Sequence, residues 1–259
     1  MNSVPSFIQL DSVRKVYRGR REEFLAVSDV TFDVEAGELV CMVGPSGCGK
    51  TTVLKILAGL HSHEDGTVRI GSQSDSFDPA RDIGMVFQQP LLLKWRRVIE
   101  NVLLPAEILG LNMGEAKERA RHLLDMVGLS GFAQSYPYEL SGGMQQRAAI
   151  ARALVHDPKL ILMDEPFGAL DEMTREHMQG ELLRIWRETG TTVVFVTHSI
   201  PEAAFLSNRV VVLSPRPGRI HSIVGVDLGE RTEDTREDPD FFQATTEIRE
   251  ALRAVEDGS

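Results

Sequence analysis

Leu39-Val40-Cys41-Met42-Val43 is a short apolar run that stops at a glycine, and Gly49 to Leu60 then reads as a helix. A short run of this kind, rich in branched residues and without polar alternation, is a strand buried on both faces. Ile83 to Phe87, Leu160 to Met163, Val193 to Thr197 and Val210 to Leu213 repeat the pattern. Helical stretches separate several of these runs. Met144 to Val155 is rich in alanine and ends before Pro158. Met173 to Glu188 places Leu182, Ile185 and Trp186 on one face, with Gly190 just beyond its end. Alternating strands and helices predict an α/β fold with a mostly parallel core sheet.

The N-terminal part differs. Phe7 to Val13 and Val27 to Val34 alternate in the manner of antiparallel strands, as at Val30-Thr31-Phe32-Asp33-Val34. From about Leu91 to Leu140 there is no strong strand run, and a helix over Met113 to Val127 suggests a helical subdomain. A chain of 259 residues suits one large domain, or a domain with a subdomain. The net charge of −10 argues against broad nucleic-acid binding. Of that excess, −7 lies in residues 221–259 and −3 in the preceding 220. No apolar run reaches the ~18–20 residues that span a bilayer, and Met1 to Leu10 lacks the pattern of a secretory signal. Cys41 and Cys48 are too few for a disulfide framework and suit a reduced, cytoplasmic compartment.

Gly44-Pro45-Ser46-Gly47-Cys48-Gly49-Lys50-Thr51 fits G-x-x-x-x-G-K-[ST] and lies between a strand and a helix, the context that gives this motif meaning. Its glycines permit a tight turn with inward N–H groups, and the helix N-terminus adds to an anion site for phosphates. Lys50 would reach the outer phosphates, Thr51 would turn its hydroxyl to Mg²⁺, and Thr52 follows in the same turn. Cys48 reads as a small loop residue whose alkylation ATP would block.

The strand Leu160 to Met163 ends in Asp164 and Glu165. A carboxylate at such a strand end helps hold Mg²⁺, a role that suits Asp164. Glu165 can polarise an attacking water. Without the phosphate loop, the same pair would read equally well as an acidic helix cap.

Leu140-Ser141-Gly142-Gly143-Met144-Gln145-Gln146-Arg147 adds a second candidate anion site at a helix N-terminus. Here the chain resembles the ATP-binding subunits of ABC transporters, over about Phe7 to Val255. The resemblance implies a P-loop NTPase of ABC-ATPase fold: a mostly parallel core sheet, an N-terminal antiparallel β subdomain and an α-helical signature subdomain. It implies one ATPase domain over 7–240, a helical subdomain inserted at about 91–155, and an acidic C-terminal extension over 221–259. It also implies ATP and Mg²⁺ as cofactors and a head-to-tail homodimer with two ATP molecules at its interface. In that dimer Leu140, Ser141, Gly142, Gly143 and Gln145 face the partner's nucleotide. By motif, Tyr17 matches the aromatic that stacks on adenine, with a strand-end core tyrosine as the lesser alternative. Gln88 matches the glutamine that senses Mg²⁺ and water. Asp171, in Gly168-Ala169-Leu170-Asp171, matches the loop that crosses the dimer interface, or is a helix cap. His198 matches the switch histidine near the γ-phosphate.

Gln88-Gln89-Pro90-Leu91-Leu92-Leu93-Lys94-Trp95-Arg96 and Val212-Leu213-Ser214-Pro215-Arg216-Pro217-Gly218-Arg219-Ile220 resemble segments of nitrate/sulfonate/taurine-type importers. Lys94 departs from the proline usual there. This resemblance implies an ATPase that energises uptake of a small solute through separate permease subunits, with an extracytoplasmic solute-binding protein. It implies a peripheral place on the cytoplasmic face of the inner membrane and no nucleic-acid partner. A soluble ABC ATPase acting on DNA or ribosomes is the alternative; the stretch Thr52 to Glu139 has none of the sustained heptads that a coiled-coil insertion needs. Leu91 to Ala106 is expected near the groove for the permease, with Trp95 either an exposed anchor or a buried subdomain residue. Arg14, Lys15, Arg18, Arg20 and Arg21 read as a solvated hairpin tip, or as a membrane-facing patch. His61 and His63 read as part of a polar turn rather than a metal site.

Overall fold

The computed structural model describes residues 6–18, 23–71 and 77–257. In chain order its elements are β1 (Ser6–Arg18), β2 (Glu23–Glu35), β3 (Leu39–Val43), α1 (Lys50–Leu57), β4 (Asp65–Ile70), α2 (Pro79–Asp82), β5 (Ile83–Val86), α3 (Val98–Ile108), α4 (Met113–Met126), α5 (Gly142–Leu154), β6 (Leu160–Asp164), α6 (Glu172–Thr189), β7 (Thr192–Val196), α7 (Ile200–Leu206), β8 (Arg209–Leu213), β9 (Ile220–Gly225) and α8 (Pro239–Asp257). They form two compact units, Met1–Phe77 with Thr192–Ser259, and Asp78–Thr191. The helical subdomain expected at 91–155 lies inside the second unit, which also takes in β5, β6 and α6.

In the first unit β3 is buried at every position. It pairs in parallel with β7 and β8, Cys41 standing opposite Phe195 on one side and Val210 on the other. Side chains buried this fully each contribute about 1.5–3 kcal/mol, so the strand that ends at Gly44 is a firm base for the loop. β9 adds to β8 in antiparallel register, Val211 opposite Ile223. A separate antiparallel sheet has the order β2-β1-β4, with Leu10 between Phe32 and Val68.

The described part of the acidic extension, residues 221–257, packs within this unit. β9 extends its sheet, and α8 packs on α7, β8 and β9. Phe241, Ala244, Ile248 and Val255 are buried along one face of α8. The buried Arg231 donates to the Ser207 carbonyl at 2.7 Å.

In the second unit β5 and β6 pair in parallel, Met85 opposite Leu162. Helices α3, α4 and α5 pack against one another, and α5 also packs on β5. Among the described residues no helix is long and apolar enough to cross a membrane.

Candidate functional site

The first unit carries the glycine-rich loop. Its backbone leaves β3 at Gly44 (φ 154°) and enters α1 through Gly49 (φ 104°). A methyl group at Gly44 would stand 2.8 Å from the Leu213 carbonyl oxygen, and one at Gly49 would stand 2.4 Å from Val27 Cγ1. Both positions therefore require glycine. Ser46 and Gly47 are exposed at the crest, whereas Cys48, a small loop residue, is fully buried. Lys50 is buried, and its ammonium donates to the carbonyls of Gly44 at 2.8 Å and Pro45 at 3.0 Å. Two neutral acceptors hold the charge at the loop, where an anionic oxygen would make the stronger, charge-assisted bond. Thr51 and Thr52 lie in the first turn of α1, where the helix dipole favours negative charge.

Tyr17 lies near the end of β1, half-buried. Its hydroxyl is 3.4 Å from Thr52 Oγ1 and 3.3 Å from His61 Nδ1, which ties the ring to the helix of the loop. The basic run is not simply solvated. Lys15 is buried and pairs with Glu64 at 3.1 Å, and Arg14 pairs with Asp65 at 3.0 Å. Arg20 and Arg21 lie outside the described residues. His61 is engaged with Tyr17, and no group of three potential metal ligands occurs among the described residues. His198 is exposed just past β7. It is followed by Ser199, whose side chain caps α7 by accepting from the Glu202 N–H. Behind the loop, burial and then the nearby Glu202 push the Cys41 thiol well above its ordinary range.

The second unit carries the carboxylates. Asp164 is buried at the end of β6. Glu165 has φ 48°, a left-handed conformation costly for a residue with a side chain and typical of functional turns. Gln88, just past β5, donates from Nε2 to Glu165 Oε2 at 3.0 Å. Two candidates 77 residues apart in sequence thus meet directly. Ser141 caps α5 by accepting from the Met144 N–H at 3.3 Å. Gly142 is exposed, and a methyl group at Gly143 would lie 3.1 Å from Leu170 Cδ2. Leu140 is buried, and Gln145 donates to the carbonyls of Pro137 and Leu140. Asp171 caps α6 by accepting from the Thr174 N–H at 3.0 Å, and that bond holds its carboxyl below the ordinary range.

Three residues that the motifs did not single out organise this unit. Gln146, fully buried on α5, donates to the Phe87 carbonyl. Arg152 on the same helix donates to the carbonyls of Pro90 and Leu91. The segment after β5 is therefore fastened to the helix that Ser141 caps. Asn101 is fully buried on α3, donates to the carbonyls of Leu93, Arg96 and Arg97, and accepts from the Leu93 N–H. It holds the turn on which Trp95 stands 74% exposed, which decides the open question in favour of a surface tryptophan. The only sequence signal for these contacts is a polar residue on an apolar helix face, which does not say what it bonds.

Chemically, the loop suits phosphate oxygens. The Thr51 hydroxyl, the Asp164 carboxylate and the Gln88 amide oxygen are hard donors of the kind Mg²⁺ takes. The chain matches the ABC transporter family over residues 27–168. It is similar to a taurine import ATP-binding protein of Jannaschia sp., at 44% identity over 86% of this chain and 85% of that one. It is also similar to a nitrate import ATP-binding protein of Synechocystis sp., at 40% identity over 96% of both chains. Among solved structures, a dimeric ATP-binding cassette in a post-hydrolysis state bound to ADP and Pi aligns with TM-score 0.76 and 35% identity. That alignment covers 85% of this chain and 99% of the other. A family match over more than half of the chain, and relatives at 40% identity or more along most of it, show that the chain belongs to the ABC transporter family.

Proposed function

We propose that the chain is the ATP-hydrolysing subunit of an importer for a small solute of the nitrate, sulfonate or taurine class. The observation that carries the hydrolytic part is the 3.0 Å hydrogen bond from Gln88 to Glu165, which orients a carboxylate at the end of an acidic strand. Tyr17 stacks on adenine, and the loop from Gly44 to Thr52 holds the phosphates through backbone N–H groups and Lys50. Thr51, Asp164 and Gln88 would hold Mg²⁺, which when bound would offset phosphate charge. Glu165 accepts a proton from the attacking water, and His198 contacts the outer phosphate. Two copies stack head to tail, so that Leu140, Ser141, Gly142, Gly143 and Gln145 of each close on the nucleotide of the other, with Asp171 at the shared face. The dimeric cassette among the solved structures supports this arrangement.

The solute class rests on the taurine and nitrate import relatives and on the 88–96 and 212–220 segments. Transport requires a separate permease, and an extracytoplasmic binding protein delivers the solute. The ATPase sits peripherally on the cytoplasmic face of the membrane. Leu91 and Ile108, which line one apolar pocket, and the exposed Trp95 are the apolar groups offered to the permease. Purified Lys50→Ala protein is expected to lose ATP binding in titration calorimetry, and unchanged affinity would contradict the phosphate-loop assignment. Affinity purification from membranes is expected to recover a polytopic permease; recovery of ribosomes or DNA would favour the other class of ABC ATPase.

A further inference from the structure

The segment Ser214 to Arg219 has entered so far only as a sign of the solute class and has no part in the chemistry above, yet its Gly218 sits against the phosphate loop. Gly218 exchanges backbone hydrogen bonds with β2: its N–H donates to the Ala26 carbonyl at 3.0 Å, and its carbonyl accepts from the Ser28 N–H at 2.9 Å. A methyl group at Gly218 would stand 1.9 Å from the Cys48 carbonyl oxygen, so the segment touches the loop backbone itself. Two residues earlier, the exposed Arg216 places its guanidinium 5.2 Å from the ring centroid of Phe24. Phe24 is 44% exposed and stacks on Tyr17, ring centroids 5.2 Å apart and planes 26° from parallel. The far end of the Tyr17 ring is held by Thr52 and His61.

We propose that Arg216, Phe24 and Tyr17 form one layered platform for the nucleobase, in which Phe24 and Arg216 are positioning residues for the Tyr17 ring. The proposal rests on the reading of Tyr17 as the base-stacking residue. The physical reason is pre-organisation. A half-buried tyrosine near a strand end keeps rotational freedom unless its face and its tip are both fixed, and ordering it at binding would cost affinity. Phe24 supports the face by offset stacking. Arg216 covers Phe24 from outside by a cation–π contact. Thr52 and His61 hold the tip. Because Gly218 abuts Cys48, the guanidinium is carried on a segment anchored to the same loop that takes the phosphates.

The test uses the full-length protein and two probes, ATP and inorganic tripolyphosphate, which has no base. Phe24→Leu and Arg216→Gln are each expected to weaken ATP binding roughly two- to ten-fold. They are expected to leave tripolyphosphate affinity at the parental value and to raise KM for ATP with kcat kept. Phe24→Tyr, which restores a ring, is expected to recover parental KM. Parental ATP affinity in both Phe24→Leu and Arg216→Gln would overturn the proposal, as would an equal loss for ATP and tripolyphosphate, which would mean a disturbed phosphate loop. Tyr17→Ala separates the two levels. If it too binds ATP as the parent does, the base-stacking reading itself fails; if it alone weakens ATP, only the layered platform fails. Arg216 is exposed, so its variant keeps the test open should Phe24→Leu fold poorly.

Discussion

Gly49 forms the entry to α1 with φ 104° and ψ 6°, and a methyl group there would meet Val27 Cγ1 at 2.4 Å and the Ala26 carbonyl oxygen at 3.1 Å. Gly49→Ala therefore carries two costs. The left-handed backbone disfavours an L side chain by about 1–2 kcal/mol. The overlap with Val27 adds about 1–3 kcal/mol, as in an overpacked core. Val27 is fully buried and β-branched, so it cannot swing aside cheaply. The total is about 2–5 kcal/mol. If the loop yields, the cost falls on nucleotide binding, where about 2.8 kcal/mol is a hundred-fold loss. If the loop holds, the melting temperature drops by about 2–4 °C per kcal/mol. Titration calorimetry with ATP and thermal unfolding of the same protein measure both. Val27→Ala removes the clashing atom and leaves the backbone strain, so a double-mutant cycle is expected to return a coupling of about 1–3 kcal/mol. Parental ATP affinity together with parental melting temperature in Gly49→Ala would refute the reasoning. An additive cycle would refute the part assigned to Val27.

Burial, the larger influence, lowers the pKa of His156 despite the hydrogen bond between its Nε2 and the Ile83 carbonyl. Below the ordinary imidazole value near 6.5, the unfolded chain then takes a proton that the folded chain resists, so stability falls as pH drops from 7 to 5. His156→Gln is expected to flatten that slope in urea titrations at the two pH values, and an unchanged slope would count against it. Cys41 and Cys48 are both fully buried; mass spectrometry is expected to find neither alkylated by iodoacetamide in the native protein and both alkylated in denaturant. Rapid native labelling of Cys48 would show that the loop opens. Ending the chain after Asp238 removes buried Phe241, Ile248 and Val255, a loss on the order of 5 kcal/mol of burial, and the melting temperature is expected to fall by about 10–20 °C. A parental melting curve would return α8 to the status of a dispensable tail.

The strands visible in the sequence are of two kinds: runs buried on both faces, and β1 and β2, whose alternation marks one buried face. β3, β6 and β7 are buried at every position, so their apolar runs have no interruptions. β4 and β9 contain no fully buried residue, and DGTVRI and IHSIVG therefore look like loop. α3 was hidden for the opposite reason. VIENVLLPAEI is apolar on nearly every side and carries Pro105, which masks its period. At the site, loop and strand-end residues were legible because their chemistry demands fixed spacing. The Gln88–Glu165 bond, the grip of Gln146 and Arg152 on residues 87–91, and the Arg216–Phe24–Tyr17 stack join distant segments. No local pattern encodes such pairs. Of the two readings of Asp171, the structure shows the helix cap, its carboxylate accepting from the Thr174 N–H at the start of α6; its place at the dimer face is part of the proposal.

The central claim, that Glu165 drives ATP hydrolysis in a dimer of this chain, is tested most directly by Glu165→Gln. The side chain keeps its size and its oxygen for Gln88 but no longer serves as a base. Phosphate release measured beside size-exclusion chromatography in ATP is expected to show hydrolysis reduced by at least a hundred-fold, within the range for loss of a general base, and a stable ATP-bound dimer. Hydrolysis at the parental rate, or a monomer that does not respond to ATP, would contradict the account.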